Sequence, residues 1–359
     1  MVFILTVCDT NMAPLHIIED YSSILWCERF NEAGDFELVL PLTNENLSIY
    51  KLSRYIRKSD TDRIMSIEDI EISMDYTDTH NLTISGKSLE YMLSKRIVWE
   101  RTRTAYLGES LASYLTTLVT EAFINTGDET ARKIDNFRLE TIDSTYIKHL
   151  TLELDYYFDN LYEVISNICR GAYIGYKIVW DGVKKAFVMS FFTSVQKNVI
   201  FSMDLDNIIN MKLLNSTGQT KNLAMVKGYS NAYGCLHEYS YLGEQEPSGL
   251  FRNEVCIDGS GIYIDPNWGE EEIMLYLDVL RDRGITELST QQVVNLTSFE
   301  ISSSSSYEYK VDFDVGNVVN IIDLYGNTNY MRLTEMVLSL DTEGFKMTPT
   351  FESFDRMVI

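Results

Sequence analysis

The sequence predicts a mainly β chain of the α+β class, and three observations carry that expectation. Short runs of alternating apolar and polar residues, bounded by Gly, Asn, Asp and Ser, recur from Met1 to about Trp99 and again beyond residue 200. A side-chain period of two is that of a half-buried strand. Helical stripes are few and fall mostly between residues 100 and 200. No apolar run reaches the 18 or more residues that a membrane-spanning helix needs.

The elements follow in order. MVFILTVC lacks a basic n-region and runs into Asp9, Thr10 and Asn11, so it reads as a first strand rather than a signal peptide. Ile17-Ile18, Ile24 to Phe30 and Phe36 to Leu40 are strands, the last two separated by the turn-like Asn31 to Asp35. Tyr55 to Lys58 and Ile64 to Ile72 flank a second hairpin turn, Ser59 to Asp62. Leu82 to Gly86 is a further strand, and Ser88 is placed as the N-cap of a short helix that packs Leu89, Met92 and Leu93.

From 100 to 200 the pattern changes. Leu107, Leu111, Leu115, Leu118, Val119 and Phe123 form one apolar helical face between about Gly108 and Ile124. Leu161, Val164, Ile165, Ile168 and Cys169 form a second, with Asn160 and Glu163 as a capping box and Gly171 as its C′ glycine. Tyr173 to Trp180 and Lys185 to Phe192 read as a hairpin closed by a primed Asp181-Gly182 turn.

Beyond 200, Ile208 to Leu214 and Leu223 to Tyr229 are strands around Asn215 to Gln219. Asn267 to Arg283 is predicted helical, acidic at its start and stopped by Gly284, and Gln291 to Leu296 continues as a second short helix. The Ser302 to Ser306 run is a loop or edge strand. A meander closes the chain. Its strands are expected at Val311 to Val315, with Asp312 and Asp314 facing away from Val311, Phe313 and Val315, then at Val318 to Ile322, Met331 to Leu340 and Phe345 to Thr348, with breaks at Gly316-Asn317, Gly326-Asn327 and Glu343-Gly344. Four short strands in sequence make a small barrel or sandwich.

The 359 residues suffice for two or three domains, read as 1–99, 100–200 and 201–359. With 53 acidic against 30 basic residues the net charge is −23, which argues against a protein that grips nucleic acid through its phosphates. The charge serves solubility or, more sharply, a surface past which DNA slides without adhering. Cys8, Cys27, Cys169, Cys235 and Cys256 are odd in number and widely spread, with no C-x-x-C, and read as reduced, mostly buried thiols made in a reducing cytoplasm.

No catalytic, cofactor or metal residues emerge. The four histidines, His16, His80, His149 and His237, have no ligand-spaced partners, and His237-Glu238 reads as a loop dipeptide rather than part of H-E-x-x-H. Asp204-x-Asp206 and Asp312-x-Asp314 do not continue as EF-hand loops and read as outward strand positions. Gly259-Ser260-Gly261 is a turn, because neither G-x-x-x-x-G-K-[ST] nor G-x-G-x-x-G is present. The 53 acidic residues supply many accidental carboxylate pairs of the glycosidase kind. The 23 tyrosines and four tryptophans fall at strand spacing and read as core packing rather than a sugar-stacking surface.

One order of motifs resembles a known family. Gly34-Asp35-Phe36-Glu37-Leu38, the Tyr55-Ile56 strand, Leu82-Thr83-Ile84-Ser85-Gly86-Lys87-Ser88-Leu89-Glu90 and Arg96-Ile97-Val98 look like the N-terminal half of siphophage tail-hub proteins, with their G-x-F-E-L strand, ISGRSLE-like junction and RIV exit. Asp312-Phe313-Asp314-Val315-Gly316-Asn317 resembles the DYDLGD-type motif that opens the last barrel, with Val for Leu and Asn for the final Asp. The chain is thereby similar to the tail-tip or baseplate hub family, whose motif residues here are Gly34, Asp35, Phe36, Gly86, Ser88, Asp312, Asp314 and Gly316.

The resemblance implies two tube-like antiparallel β-barrels per subunit, an α+β insertion and helical decorations. It also implies a homotrimer whose six barrels cap the tail tube, a channel that phage DNA traverses, and no enzymatic activity or cofactor. Implied partners are the tail tube or distal tail protein, the tape-measure protein and tip or fibre proteins, in a virion tail without stable membrane insertion. The chain ends at Ile359, so the lysin activity of some relatives is expected to be absent or on another protein. The alternative class is a host-surface carbohydrate-binding tail module or cell-wall hydrolase.

Overall fold

The computed structural model describes residues 4–74, 80–99, 102–103, 110–152, 154–156, 158–218, 220–231, 234–262, 264–265, 268–291 and 294–354. The chain is mainly β with few helices, an α+β fold. Its first part supplies β1 (Leu5–Cys8), β2 (Pro14–Ile18), β3 (Ser23–Arg29), β4 (Asp35–Pro41), β5 (Tyr55–Lys58), β6 (Ile64–Met74) and β7 (His80–Ser88). A short helix, α1 (Asn44–Ile49), was not legible in the apolar pattern; Thr43 caps it by accepting from the Asn46 N–H at 3.0 Å.

The middle part contains β8 (Thr102–Arg103), α2 (Leu111–Val119), β9 (Phe137–Leu139), α3 (Thr145–His149), β10 (Asp155–Tyr156), α4 (Leu161–Gly171), β11 (Ile174–Asp181) and β12 (Ala186–Thr193). The expected start of α2, including Leu107, lies outside the described residues. The remainder supplies β13 (Val195–Phe201), β14 (Ile208–Ser216), β15 (Leu223–Asn231), β16 (Gly234–Tyr241), β17 (Glu254–Asp258), α5 (Glu270–Thr290), β18 (Val294–Ile301), β19 (Asn317–Ile322), β20 (Thr328–Asp341) and β21 (Gly344–Ser353).

Both ends of the chain build one 13-stranded sheet, in the order β14-β18-β21-β20-β3-β4-β7-β6-β5-β1-β2, with β19 on β20 and β13 on β19. The 14-residue β20 makes this possible. Along one edge its residues 328–332 pair with β19 and its residues 335–340 pair with β3, while β21 runs along the other edge. The register slips between Leu333 and Glu335, so Thr334 is left to accept from the Phe30 N–H at 3.0 Å. One core, from Leu5 and Trp26 to Phe299 and Phe351, continues across both groups of strands. A second core joins α2, α4, β11 and β12, with Phe123 stacked on Phe137 at 4.6 Å. A small third core lies under α5, between it and the β16-β15-β17 sheet.

Several sequence expectations are corrected. Asp181 and Ala186 face each other across residues 182–185, so this hairpin closes with a four-residue loop, not a primed two-residue turn; the Asp181 carboxylate accepts from the Val183 and Lys184 N–H groups, and Lys185 takes the positive φ. Gly171 ends α4 within the helix, and Tyr173 rather than a glycine turns left-handed. The helix α5 does not stop at Gly284 but runs on to Thr290. Both glycines answer to packing, since a Cβ would lie 2.5 Å from Ser289 Oγ at Gly171 and 2.3 Å from Ser240 Oγ at Gly284.

Residues 294–296 belong to a strand, not a second helix, because β18 pairs with both β14 and β21 and buries Phe299; Gln292 and Val293 lie outside the described residues. Asp204 and Asp206 sit at a 3-10 turn, with Asp206 left-handed, rather than on a strand. His237 and Glu238 lie within β16 rather than in a loop, and the Glu238 carboxylate reaches Arg281 of α5 at 3.5 Å. The closing meander has three strands, not four. Residues 309–316 fold instead into tight turns, in which the Val311 and Asp312 N–H groups both donate to Glu308 O and Lys310 has φ 74°, leaving Val311 70% exposed.

A Cβ on Gly86 would lie 1.9 Å from Ser66 O, opposite the bulge at Glu68 in the β6–β7 pair. Gly86→Ala is therefore expected to destabilise the fold by about 1–3 kcal/mol. The measurement is the urea midpoint, and an unchanged midpoint would show that the pair relaxes freely.

Candidate functional site

The last residues of β3 and the residue after it, Glu28, Arg29 and Phe30, gather the motifs that lie far apart in sequence. On one side Arg29 holds Asp35 at 2.9 Å and Glu335 at 2.7 Å. Gly34 donates its N–H to Ser88 Oγ at 2.8 Å and accepts from the Ser88 N–H at 2.9 Å, so Ser88 ties β7 to the β3–β4 turn and makes no side-chain cap to the 3-10 helix at Leu89–Lys95. Phe36 is buried opposite Gly86 and Trp26.

On the other side stands the 309–316 turn. Lys310 Nζ reaches Glu28 Oε2 at 2.6 Å and Asp314 Oδ1 at 2.8 Å. The Tyr309 hydroxyl donates to the same Glu28 oxygen at 3.1 Å, and the Trp26 indole donates to Glu28 Oε1 at 3.1 Å. Asp312 stays apart; its carboxylate accepts from the Glu308 N–H at 2.7 Å and closes the turn locally. Gly316 adopts φ 90° and donates to Leu333 O at 2.7 Å, and a Cβ there would meet the Phe30 ring at 2.7 Å.

The middle part enters the same place. Arg63 pairs with Glu90, whose carboxylate also accepts from the Ile178 N–H of β11 at 3.0 Å. Lys177 pairs with Asp62. Phe30 donates its N–H to Thr334, accepts from the Tyr176 N–H at 3.2 Å, and packs edge-on to Phe192 at 5.6 Å. The Arg332 guanidinium lies 5.0 Å from the Phe30 ring and 4.9 Å from the Tyr173 ring. Sequence reading did not find Glu28, Arg63 or Lys310, and met Glu90 only as the end of a motif without a role of its own; charged residues within apolar or turn-like runs were the available signal.

The side chains of Glu28 and Glu90 are fully buried and that of Arg63 is 5% exposed. Such charges survive burial only when paired and hydrogen-bonded. Burial pushes the Glu28 carboxyl up, but Lys310 and then Arg63 outweigh it and hold the group below the usual carboxylate range. Burial likewise pulls the Lys310 ammonium down, and Glu28 and Asp314 raise it above its usual range. The chemistry of this arrangement is that of a joint, since Glu28, Lys310, Arg63 and Glu90 pair with one another or with Asp314, although among the described residues Glu90 Oε2 and Arg332 Nε and Nη1 are buried without a hydrogen-bond partner.

Elsewhere, a polar cavity of ≈ 210 Å³ is lined by Asp159, Asp258, Ser260, Arg283 and the backbone of Gly259 and Gly261. Among the described residues no three His, Cys, Asp or Glu side chains converge to hold a metal ion. Cys8, Cys27 and Cys169 are buried, Cys235 is half-buried and Cys256 is exposed, all as free thiols.

Removing one member of the Glu28–Lys310 pair strands the other. Lys310→Met is expected to cost about 3–5 kcal/mol, and Glu28→Gln combined with Lys310→Met to recover most of it; chemical denaturation of the three variants measures both. Because the Glu28 pKa is lower folded than unfolded, its contribution is present above the unfolded value of about 4.5 and is lost as pH falls through the folded one. Glu28→Gln should flatten the stability profile on the acid side of pH 4.5.

The fold is similar to that of a tail protein from Neisseria meningitidis MC58, with a TM-score of 0.56 at 10% identity over 98% of this chain and 97% of that one. It is similar to the 43 kDa tail protein of prophage MuSo2 from Shewanella oneidensis, with a TM-score of 0.54 at 11% identity over 97% of both chains. Prophage tail protein gp18 from Listeria monocytogenes EGD-e gives a TM-score of 0.52 at 13% identity over 99% of this chain and 96% of that one. At such identities the likeness is one of fold. No curated protein matches the sequence. Residues 4–351, which include every residue of the joint, match the Siphovirus ReqiPepy6 Gp37-like proteins, and the chain belongs to that family.

Proposed function

We propose that this siphovirus tail protein is the tail-tip or baseplate hub, a ring-shaped homotrimer that caps the tail tube and forms part of the channel through which DNA leaves the particle. Its place is the virion tail. The observation that carries the reading is the shared strand: β20 serves a group of strands from the start of the chain and a group from its end, so one strand joins both groups, which we take as the two barrels of the subunit. Three such subunits match a sixfold tube by pseudo-symmetry, and closed rings of this kind use heterologous contacts.

In this reading the units are 1–99, 100–200 and 201–359, with the middle one and the β15–α5 segment as decorations outside the two tube-like barrels. The partners are the tail tube or distal tail protein, the tape-measure protein and the tip or fibre proteins. Part of the carboxylate excess lines the channel, where it repels the passing polyanion. The role is structural, and the chain carries out no catalysis.

Light scattering coupled to size exclusion should give three chain masses, and the trimer should associate with purified tail tube or distal tail protein. A species that stays monomeric at high concentration and binds neither would refute the hub. Peptidoglycan zymography should be blank; a cleared band abolished by a single carboxylate substitution would support the hydrolase class instead.

A further inference from the structure

Among the described residues the 13-stranded sheet does not close on itself. At one end β2 pairs only with β1, and at the other β14 pairs only with β18. An end strand turns alternate N–H and C=O groups off the sheet, and proteins that stay single guard such an edge with charge, proline or a covering element. The β2 strand, PLHII, has no Lys, Arg, Asp or Glu, and its proline stands at its start. An outward row runs through Ile17, Thr6 and Arg57 across β2, β1 and β5. Ile17 is 52% exposed, Leu15, which the register shift at Val7 leaves unpaired, is 48% exposed, and Ile4 and Arg57 are exposed beside them. The β14 end matches this in apolar area. Ile208 enters the core, so Ile209, opposite Glu300, faces outward; Ile209 and Leu214 are each 41% exposed. The turn that leads into β14 adds Met203 and Leu205, with Asp204 and Asp206, all exposed. A third end, β13 on a side branch, exposes only Val195 among its apolar residues.

We propose that the two ends are the contact between neighbouring copies of this chain, the β2 edge of one subunit lying against the β14 edge of the next, so that the sheet continues from copy to copy. The inference rests on the homotrimer reading and names the surfaces that build the ring. Charge selects unlike ends. The β2 face, formed by Ile4, Thr6, Leu15, Ile17 and Arg57, holds one cation and no acid, whereas Asp204, Asp206 and Glu300 border β14 against Lys212. Two β2 faces would set Arg57 against Arg57, and two β14 faces would set acid against acid; one of each is complementary. Lys212 has exposed Glu19, directly after β2, as its own counterpart. Topology selects a second copy of the chain over a foreign strand. Each copy carries one edge of each kind, so a heterologous contact leaves no edge open once the ring closes. A foreign strand on β2, or a twofold pair of β2 edges, leaves every β14 edge in solvent.

Cysteine pairs test the contact in the full chain. The background is Cys235→Ser with Cys256→Ser, which removes the thiols that are not buried. Ile17→Cys is mixed at high dilution with Ile209→Cys, Lys212→Cys or Leu214→Cys, reconcentrated and treated with a short bismaleimide. At least one mixture should give a covalent dimer that neither of its members gives alone. Ile17→Lys, a guard of the kind solvent edges carry, should raise the concentration at which the trimer half-dissociates at least tenfold, with an unchanged circular-dichroism spectrum. The proposal is overturned if no mixture cross-links, if Ile17→Cys cross-links with itself, or if Ile17→Lys holds its trimer as well as the parent. An Ile17→Lys chain that stays trimeric but no longer binds purified tail tube protein assigns the β2 edge to that protein instead. A trimer without the mixed cross-link refutes this contact and leaves the hub standing, whereas a monomer at high concentration refutes both.

Discussion

The rest of the structure depends on the meeting of Glu28 and Lys310, at 2.6 Å in the interior of the fold. These residues are separated by most of the chain, and no local propensity draws them together. A carboxylate and an ammonium taken from water cost several kcal/mol each, a cost offset only when geometry and additional hydrogen bonds are complete. Glu28 meets that condition with Trp26, Tyr309 and Lys310, and Lys310 with Asp314. The consequence is specificity of register. A turn displaced by one residue would bury the charge without its partner, so the last part of the chain has one permitted seat on β3.

Phe30 converts that seat into a joint between three segments. Its backbone bonds to Thr334 and Tyr176, and its ring fills the space that Gly316 leaves open and packs against Phe192 and Arg332. The slip in β20 falls at the same level. Where Thr334 is released from the β21 ladder, the edge of β20 changes partner from β19 to β3. Strand exchange, buried pair and aromatic packing therefore act on one plane through the molecule. Bending the two groups of strands relative to each other would have to break all three, which favours a stiff subunit.

The first part of the fold was legible because its strands are antiparallel, half-buried and joined by short polar turns, so each carries its own period of two. The helices α2 and α4 were legible from their stripes, and Asn160 caps α4 as its sequence indicates, accepting from the Tyr162 and Glu163 N–H groups. What sequence misjudged has a common cause in contacts from afar. Gly284 and Gly171 resemble helix stops, yet each is small because another element presses on it. Val294 to Leu296 resemble a helical turn until β14 and β21 claim them. Asp312 to Val315 alternate like a strand, but a left-handed Lys310 folds them into a turn that places Lys310 on Glu28. The motif residues were found as strings; the charged residues that give those strings a meeting place were not, since a lone Glu or Lys in sequence does not disclose its partner.

The segment between β14 and β18 obeys different physics from the body that carries it. Its core is small, centred on Val226, Tyr276, Val279 and Leu280, and it meets α4 where Gly171 lets Ser289 approach and where Arg283 lies 3.9 Å from Asp159. Few buried apolar contacts and exposed polar ties give a unit that opens more readily than the large sheet. Such opening leaves the buried joint undisturbed, because the two share no residue. Stiffness is thus concentrated where the ends of the chain meet, and compliance in this small segment.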